Sequence, residues 1–259
     1  MNITEDSFSA GGRYLEADAA IAHARALADD GADWIELGPA SSNPDAGLVP
    51  PLEQIRRLEP VVAALGSGPL PVSVDATRPE VLDWALDRGV GMVNDVRGFP
   101  DEATRERVGA SEALVVVVHS LLAEERATRD AATPEQVLDS IDRFFDQRLE
   151  ELVRAGVDES RLIVDPGMGF FLGSDPRSSV AVLQAIPRLR ARFGRPVFIS
   201  VSRKSFLRAL TGRDVDSVGA ATLAAELHAA RAGADYLRTH DVGALRDALT
   251  IEAALDAKD

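Results

Sequence analysis

The stretch Leu162-Ile163-Val164-Asp165-Pro166-Gly167-Met168-Gly169-Phe170 runs three apolar residues into an acid and then into a glycine-rich turn. A short apolar run of this kind suits a strand buried on both faces of a parallel sheet. The same grammar repeats along the chain at Trp34 to Leu37, Val72 to Val74, Met92 to Val96, Leu114 to Val118, Val197 to Val201 and Tyr236 to Leu237. Between these runs lie amphipathic stretches that predict helices: Leu15 to Ala28, Leu52 to Leu65, Pro79 to Asp87, Pro134 to Ala155, Val180 to Arg192, Ala220 to Ala232 and Ala244 to Leu255. The tripeptides around Gly31, Gly89, Gly156 and Gly233 place glycine where a helix should stop before the next strand.

Seven internal strands, with whatever Asn2 and Ile3 belong to, make eight. Strict alternation with right-handed crossovers favours a closed (β/α)8 barrel, an α/β fold of the TIM type that needs about 250 residues. The chain has 259 residues. No linker or repeat divides it, so residues 1–259 are expected to form a single domain, with an open doubly wound sheet as the alternative. The first strand reads as clipped, because the chain begins at its polar end.

With 46% hydrophobic and 27% charged residues the chain can bury a core. Its formal net charge of -14 opposes binding to nucleic acid or to anionic lipid. An anionic substrate would have to meet locally gathered Lys and Arg. The absence of Cys excludes disulfides, thiolate metal sites and cysteine nucleophiles, and no segment reads as a signal peptide or membrane span. A cytoplasmic location is expected.

Barrel enzymes carry their reacting groups at the C-terminal ends of strands. There this sequence sets Asn2, Asp75, Asn94 with Asp95, His119, Asp165, Ser202 with Arg203 and Lys204, and Arg238 with His240. Several have a plainer reading. Asp75 and Asp165 can be turn or capping residues, Asn94 and Asp95 can end a strand, His119 can be a satisfied core imidazole, and Arg238 and His240 can form a surface pair. Their joint recurrence on one rim is harder to explain that way. Lys204, Arg238 and His240 follow the last two strands, where many barrels hold phosphate, and suggest an anionic leaving group. Asn2 offers an amide that could join them or help to hold Mg2+. Asp75, Asn94 and Asp165 supply acceptors for the N–H groups of a flat nitrogenous ring. Gly167 and Gly169 let backbone approach a ligand, and Phe170 and Phe171 offer aromatic surface, although the same segment can be a packed turn. Residues 4–12 and 38–47 are small-residue loops suited to covering a site.

These motifs resemble the dihydropteroate synthases. MNITEDSFSAGG is similar to their first signature and ELGPASSNP to their second, and SVDATRPEV, MVNDVRGF, DPGMGF, SVSRKSFL and LRTHDV follow in the family's order, from Met1 to about Val242. The resemblance implies condensation of 6-hydroxymethyl-7,8-dihydropterin pyrophosphate with 4-aminobenzoate, with Mg2+ as cofactor and a homodimer as the assembly. It assigns Asp75, Asn94, Asp165, Lys204 and Arg238 to the pterin, with Lys204, Arg238 and Asp165 the catalytic residues. Asn2, Arg238 and His240 fall to the pyrophosphate, Asn2 also to the metal. Ser42, Pro44, Phe170, Phe171 and Ser202 fall to the 4-aminobenzoate side.

The chain departs from the family's pattern at Ser42-Asn43-Pro44, where Thr-Arg-Pro is usual, and at Ala10, where Asp is usual. The segment after Phe170 is about two residues longer than ordinary members have, and with GPASSNPDA and TLAAELHAA it resembles the sulfonamide-insensitive Sul branch. Bulk at Phe171 is expected to exclude the drug while admitting the substrate. A pterin-dependent methyltransferase would share the Asp and Asn contacts but has no need of the cations. A noncatalytic pterin-binding paralogue would lack turnover.

Overall fold

The computed structural model describes residues 1–3, 13–40, 48–66, 68, 70–121 and 132–257, with the side chains of 13–16 left aside. The chain divides into two compact units. The first holds Met1–Val116 with Leu152–Arg161, the second Val117–Glu151 with Leu162–Asp259.

In the first unit helix α1 (Arg13–Asp29) leads to strand β1 (Ile35–Leu37), then α2 (Pro51–Leu65), β2 (Val72–Asp75), α3 (Pro79–Asp87), β3 (Met92–Asp95) and α4 (Glu102–Gly109). β1 pairs with β2 and β2 with β3, all parallel, in the register Ile35 to Val72, Ser73 to Met92 and Asp75 to Asn94. Successive residues of a strand face opposite sides. Ile35, Leu37, Val72, Val74 and Val93 are therefore free to fill the core on one face, and all are at most 5% exposed. The expected eighth strand is represented by one parallel bridge, Asn2 to Gly38. It is bracketed by hydrogen bonds from Ile3 N–H to Gly38 O (2.8 Å) and from Gly38 N–H to Met1 O (3.0 Å). Buried Arg57 of α2 donates to the Pro39 carbonyl at 3.1 Å and so ties that helix to the turn after β1.

Strand β4 (Leu114–Val118) begins in the first unit and ends in the second. The second unit continues with α5 (Pro134–Arg154), whose final residues belong to the first, then β5 (Leu162–Asp165), α6 (Pro176–Phe193), β6 (Phe198–Ile199), α7 (Ser205–Thr211), α8 (Gly219–Arg231), β7 (Tyr236–Leu237) and α9 (Val242–Asp256). β6 and β7 are parallel, and a bridge joins Val164 to Val197. Phe145, Ile141, Ile163, Ile186 and Ile199 are at most 1% exposed. Edge-on ring contacts run from Phe144 to Phe145 (5.2 Å) and from Phe145 to Phe193 (5.3 Å), holding α5 against the end of α6.

The strand readings hold within a residue or two except at Val197 to Val201, where only Phe198–Ile199 makes a ladder. Val197 gives its N–H to the Asp235 carboxylate at 2.9 Å and makes only an isolated bridge to Val164, while Val201 accepts the Lys204 N–H at 3.1 Å and is drawn into a turn. Helices α4 and α7 were not expected. The first is half charged, with only Thr104 and Val108 buried; the second is a single short segment closed by Gly212 at φ 69°. Gly31, Gly89, Gly156 and Gly233 follow helices with φ between 71° and 96°, as their spacing implies. No described helix is long and apolar enough to cross a membrane.

Gly109 is there for a different reason. A Cβ on it would stand 2.1 Å from the Ala155 carbonyl oxygen, against backbone that cannot yield. Arg161 braces the same corner, donating to Ala113 O at 3.0 Å and to Gly109 O at 3.3 Å. Gly109→Ala is expected to lower unfolding free energy by about 1–3 kcal/mol, the usual range for overpacking. A denaturant midpoint equal to the parent's at unchanged m-value would show the approach to be wrong.

Candidate active site

In the first unit the polar residues separate by strand face. The register sets Glu36 beside Ser73, Ser73 beside Met92, and Asp75 beside Asn94, so these five share one face. Asn94 is 1% exposed, and its Nδ2 donates to Glu36 Oε1 at 3.0 Å. The expected pair Asp75 and Asn94 is thus brought side by side at the ends of β2 and β3. Asp95, the next residue, turns to the other face. Its two oxygens accept the N–H groups of Arg97 (2.8 Å) and Phe99 (3.0 Å), closing the turn that follows β3. Burial dominates its titration and lifts the carboxyl to about 6 despite those two hydrogen bonds. The plainer reading holds for Asp95. Asn2 lies exposed, with Oδ1 3.3 Å from where a Cβ on Gly38 would stand.

In the second unit Asp165 closes β5, 5% exposed, and its Oδ1 accepts the Gly167 N–H at 2.8 Å. Its backbone oxygen accepts the His119 N–H, also at 2.8 Å. Gly167 has φ 76°, and a Cβ there would meet the His119 carbonyl at 2.4 Å, so only glycine fits. His119 itself is a core imidazole. Nδ1 faces the Pro166 carbonyl at 3.3 Å and Nε2 faces Ser140 Oγ at 3.0 Å. A carbonyl can only accept, so Nδ1 carries the proton and the Ser140 hydroxyl donates to Nε2. Desolvation pushes this imidazole down to about 4, leaving it neutral near pH 7. Its role is to hold the turn at Pro166.

The cations follow β6 and β7. Lys204 Nζ stands 5.0 Å from the centre of the Phe171 ring, while Phe170 is 57% exposed. Arg203 adopts φ 59°, rare for a residue with a side chain, and its N–H donates to Thr222 Oγ1 at 3.2 Å. Arg238 is fixed by its N–H to Ile199 O at 2.9 Å. Ser202 is buried, and its hydroxyl meets both the His240 N–H (3.2 Å) and Nδ1 (2.8 Å). His240 keeps an edge open to solvent, yet desolvation, followed by the charges of Arg203, Arg238 and Lys204, pushes its imidazole down to about 4.

Ser42 and Pro44, along with Ala10 and Asn43, lie outside the described residues. One polar contact escaped the sequence reading altogether, that of Glu36. An ionisable residue in the middle of the apolar run Trp34 to Leu37 was the available signal.

Comparison with known proteins bears on what these two groups do. The family model described as "Pterin binding enzyme" matches residues 1–240. The Escherichia coli protein named dihydropteroate synthase type-2 is 54% identical over 255 residues, covering 98% of this chain and 94% of that one. A solved Xanthomonas albilineans dihydropteroate synthase with 4-aminobenzoic acid aligns with a TM-score of 0.89 at 38% identity, covering 100% of this chain and 92% of that one. The same enzyme with 7,8-dihydropteroate gives 0.84 at 35% identity, with coverage again 100% and 92%. Likeness on this scale carries the fold class expected from the sequence, (β/α)8.

The His119 geometry has a consequence for stability. Its folded pKa lies below the unfolded value of 6.5, so the unfolded chain binds more protons as pH falls, and the stability present above pH 6.5 is lost down to about 4. The shift corresponds to about 3 kcal/mol at 1.36 kcal/mol per pH unit. Asp95 acts oppositely, because a raised carboxyl contributes stability below pH 3.8 that is lost as pH rises to about 6. Comparing the parent with His119→Gln isolates the imidazole. The parent should lose about 3 kcal/mol more than the variant between pH 6.5 and 4 in urea titrations; parallel pH profiles would rule out the buried neutral imidazole.

Proposed function

From the premise that this chain belongs to the pterin-binding enzyme family and is a dihydropteroate synthase, we propose how its own residues divide the work. The reaction joins 6-hydroxymethyl-7,8-dihydropterin pyrophosphate to 4-aminobenzoate. The bond between the pterin methylene and the pyrophosphate oxygen breaks, with the electron pair leaving on oxygen. The arylamine nitrogen then bonds to the methylene and gives up a proton to solvent. Positive charge builds on the pterin methylene and negative charge on the leaving group, so placement and charge stabilisation matter more than a strong base.

Asp75, Asn94 and Asp165 are assigned to the N–H edge of the pterin. Lys204 and Arg238 border the ring, and with Asp165 they form the catalytic set. Arg238, His240 and Asn2 are assigned to the pyrophosphate. The observation that carries this reading is the gathering of Arg203, Lys204 and Arg238 around His240 in a chain of net charge -14. Such a gathering of cations favours an anion. Mg2+, when bound, supplies further positive charge to the departing oxygens. Among the described residues no three His, Asp or Glu side chains gather into a metal cage. The exposed Asn2 amide is the group that would offer the ion a protein oxygen.

Phe170 and Phe171 are assigned to the 4-aminobenzoate ring, together with Ser42, Pro44 and Ser202. Lys204 above the Phe171 ring limits that ring's freedom. A braced ring supports reduced sulfonamide sensitivity, because it narrows the pocket against the bulkier drug. A homodimer belongs to the same reading, supported by Ile251 and Leu255, exposed one turn apart on α9. A cytoplasmic location suits a biosynthetic enzyme without Cys.

Incubation with both substrates should give dihydropteroate and pyrophosphate in equal amounts. Lys204→Met and Arg238→Met should each lower kcat/KM by about 100-fold or more, the scale seen when one preorganised charge donor is removed. Uptake of pterin without pyrophosphate release would instead mark a binding paralogue. Deleting Phe171 with Leu172 is expected to lower the sulfamethoxazole inhibition constant relative to the KM for 4-aminobenzoate. An unchanged ratio would remove Phe171 from the account of drug discrimination.

A further inference from the structure

Glu36 occupies the centre of a strand whose neighbours Ile35 and Leu37 are 3% and 0% exposed, and no step assigned above uses it. Its side chain leaves on the polar face, level with Ser73 on β2. Asn94 lies one strand further on and two residues along from Met92, the register partner of Ser73. Glu36 therefore reaches diagonally past β2 to bring Oε1 within 3.0 Å of Asn94 Nδ2.

A carboxylate can only accept a hydrogen bond, whereas Ser, Gln or Asn in its place could also donate. Only the NH2 end of Asn94 can meet it, so the amide has one permitted orientation, with Oδ1 turned away from Glu36. That Oδ1 is buried and accepts no hydrogen bond from any described residue. A buried amide oxygen demands a donor. We propose that Glu36 is a positioning residue that fixes the Asn94 amide so that this position reads an N–H on the bound heterocycle and rejects an acceptor. The inference rests on the assignment of Asn94 to the pterin and deepens it, because it states which hydrogen-bonding character that residue selects.

The chemistry follows from the difference between the two ends of an amide. With the carboxylate in place, a ring N–H completes the hydrogen bonding of Asn94. Without it the amide can turn over and offer NH2 to the same ring edge, so that donor faces donor. The loss falls on binding of the pterin before reaction as much as during it, and so on KM more than on kcat.

A double-mutant cycle tests this. Asn94→Ala alone should raise the KM for the pterin pyrophosphate on the order of 10-fold, the scale of one lost hydrogen bond in a dry site. Glu36→Leu should raise it by a similar factor in the parent and by less than about twofold when added to Asn94→Ala, with kcat within about threefold throughout. Should Glu36→Leu fail to fold, Glu36→Gln preserves the volume and leaves the amide direction open. A rise of about threefold in the parent, absent in the Asn94→Ala background, is then expected. Equal effects in both backgrounds, or none in the parent, would overturn the positioning role while leaving the assignment of Asn94 intact. An unchanged KM in Asn94→Ala would overturn the assignment itself and the inference with it.

Discussion

Side chains of a strand leave alternately to opposite faces, and the arrangement of polar groups in this protein depends on that period more than on any one contact. Asn94 and Asp95 are neighbours, both 1% exposed, yet they serve different ends. Asn94 shares its face with Asp75 and Glu36, while Asp95 binds the N–H groups of the following turn. A one-residue slip of β3 would exchange them, sending the acid to the polar row and the amide to the turn. The register is held by Val93, fully buried on the face opposite Asn94, and by the ladder to β2.

A second constraint acts on the turn after β5. Gly167 can approach the His119 carbonyl because it has no Cβ, and the Asp165 carboxylate then receives its N–H. His119 completes the arrangement by binding the Pro166 carbonyl and the Ser140 hydroxyl, which links the turn to α5. The imidazole must be neutral to do so without an uncompensated buried charge. Backbone and side chain of His119 thus both hold this turn, and the Asp165 carboxylate closes it by accepting the Gly167 N–H.

Much of this was legible in the residues. The apolar runs, their polar ends and the helix-stopping glycines were found where the spacing puts them, and Asp75, Asn94 and Asp165 do lie at strand ends. What the sequence hid has physical causes. Helix α4 buries only Thr104 and Val108, so it has almost no apolar period to detect, and α7 is too short to show one. Asp95 and His119 look like site residues because a strand-end acid or imidazole has the same spelling whether it faces a ligand or a turn. The strand face decides between them, and that is set by register with a distant partner. Glu36 passed unnoticed because its contact, Asn94, is 58 residues away.

The charges complete the picture. A chain of net charge -14 repels anions at long range, so an anionic ligand has to be met by a short-range concentration of positive charge. In the proposed assignment Arg203, Lys204 and Arg238 provide it beside His240, whose imidazole their charges push toward the neutral form. A protonated ring would add a further positive charge beside these cations, whereas a neutral one still offers a hydrogen bond. In that assignment a bound diphosphate would counter the charges that lower the His240 pKa and so favour proton uptake there. By linkage, whatever proton the ring gains on binding strengthens that binding in return. The Ser202 hydroxyl, in contact with both the backbone and the ring of His240, holds the imidazole in place through either charge state.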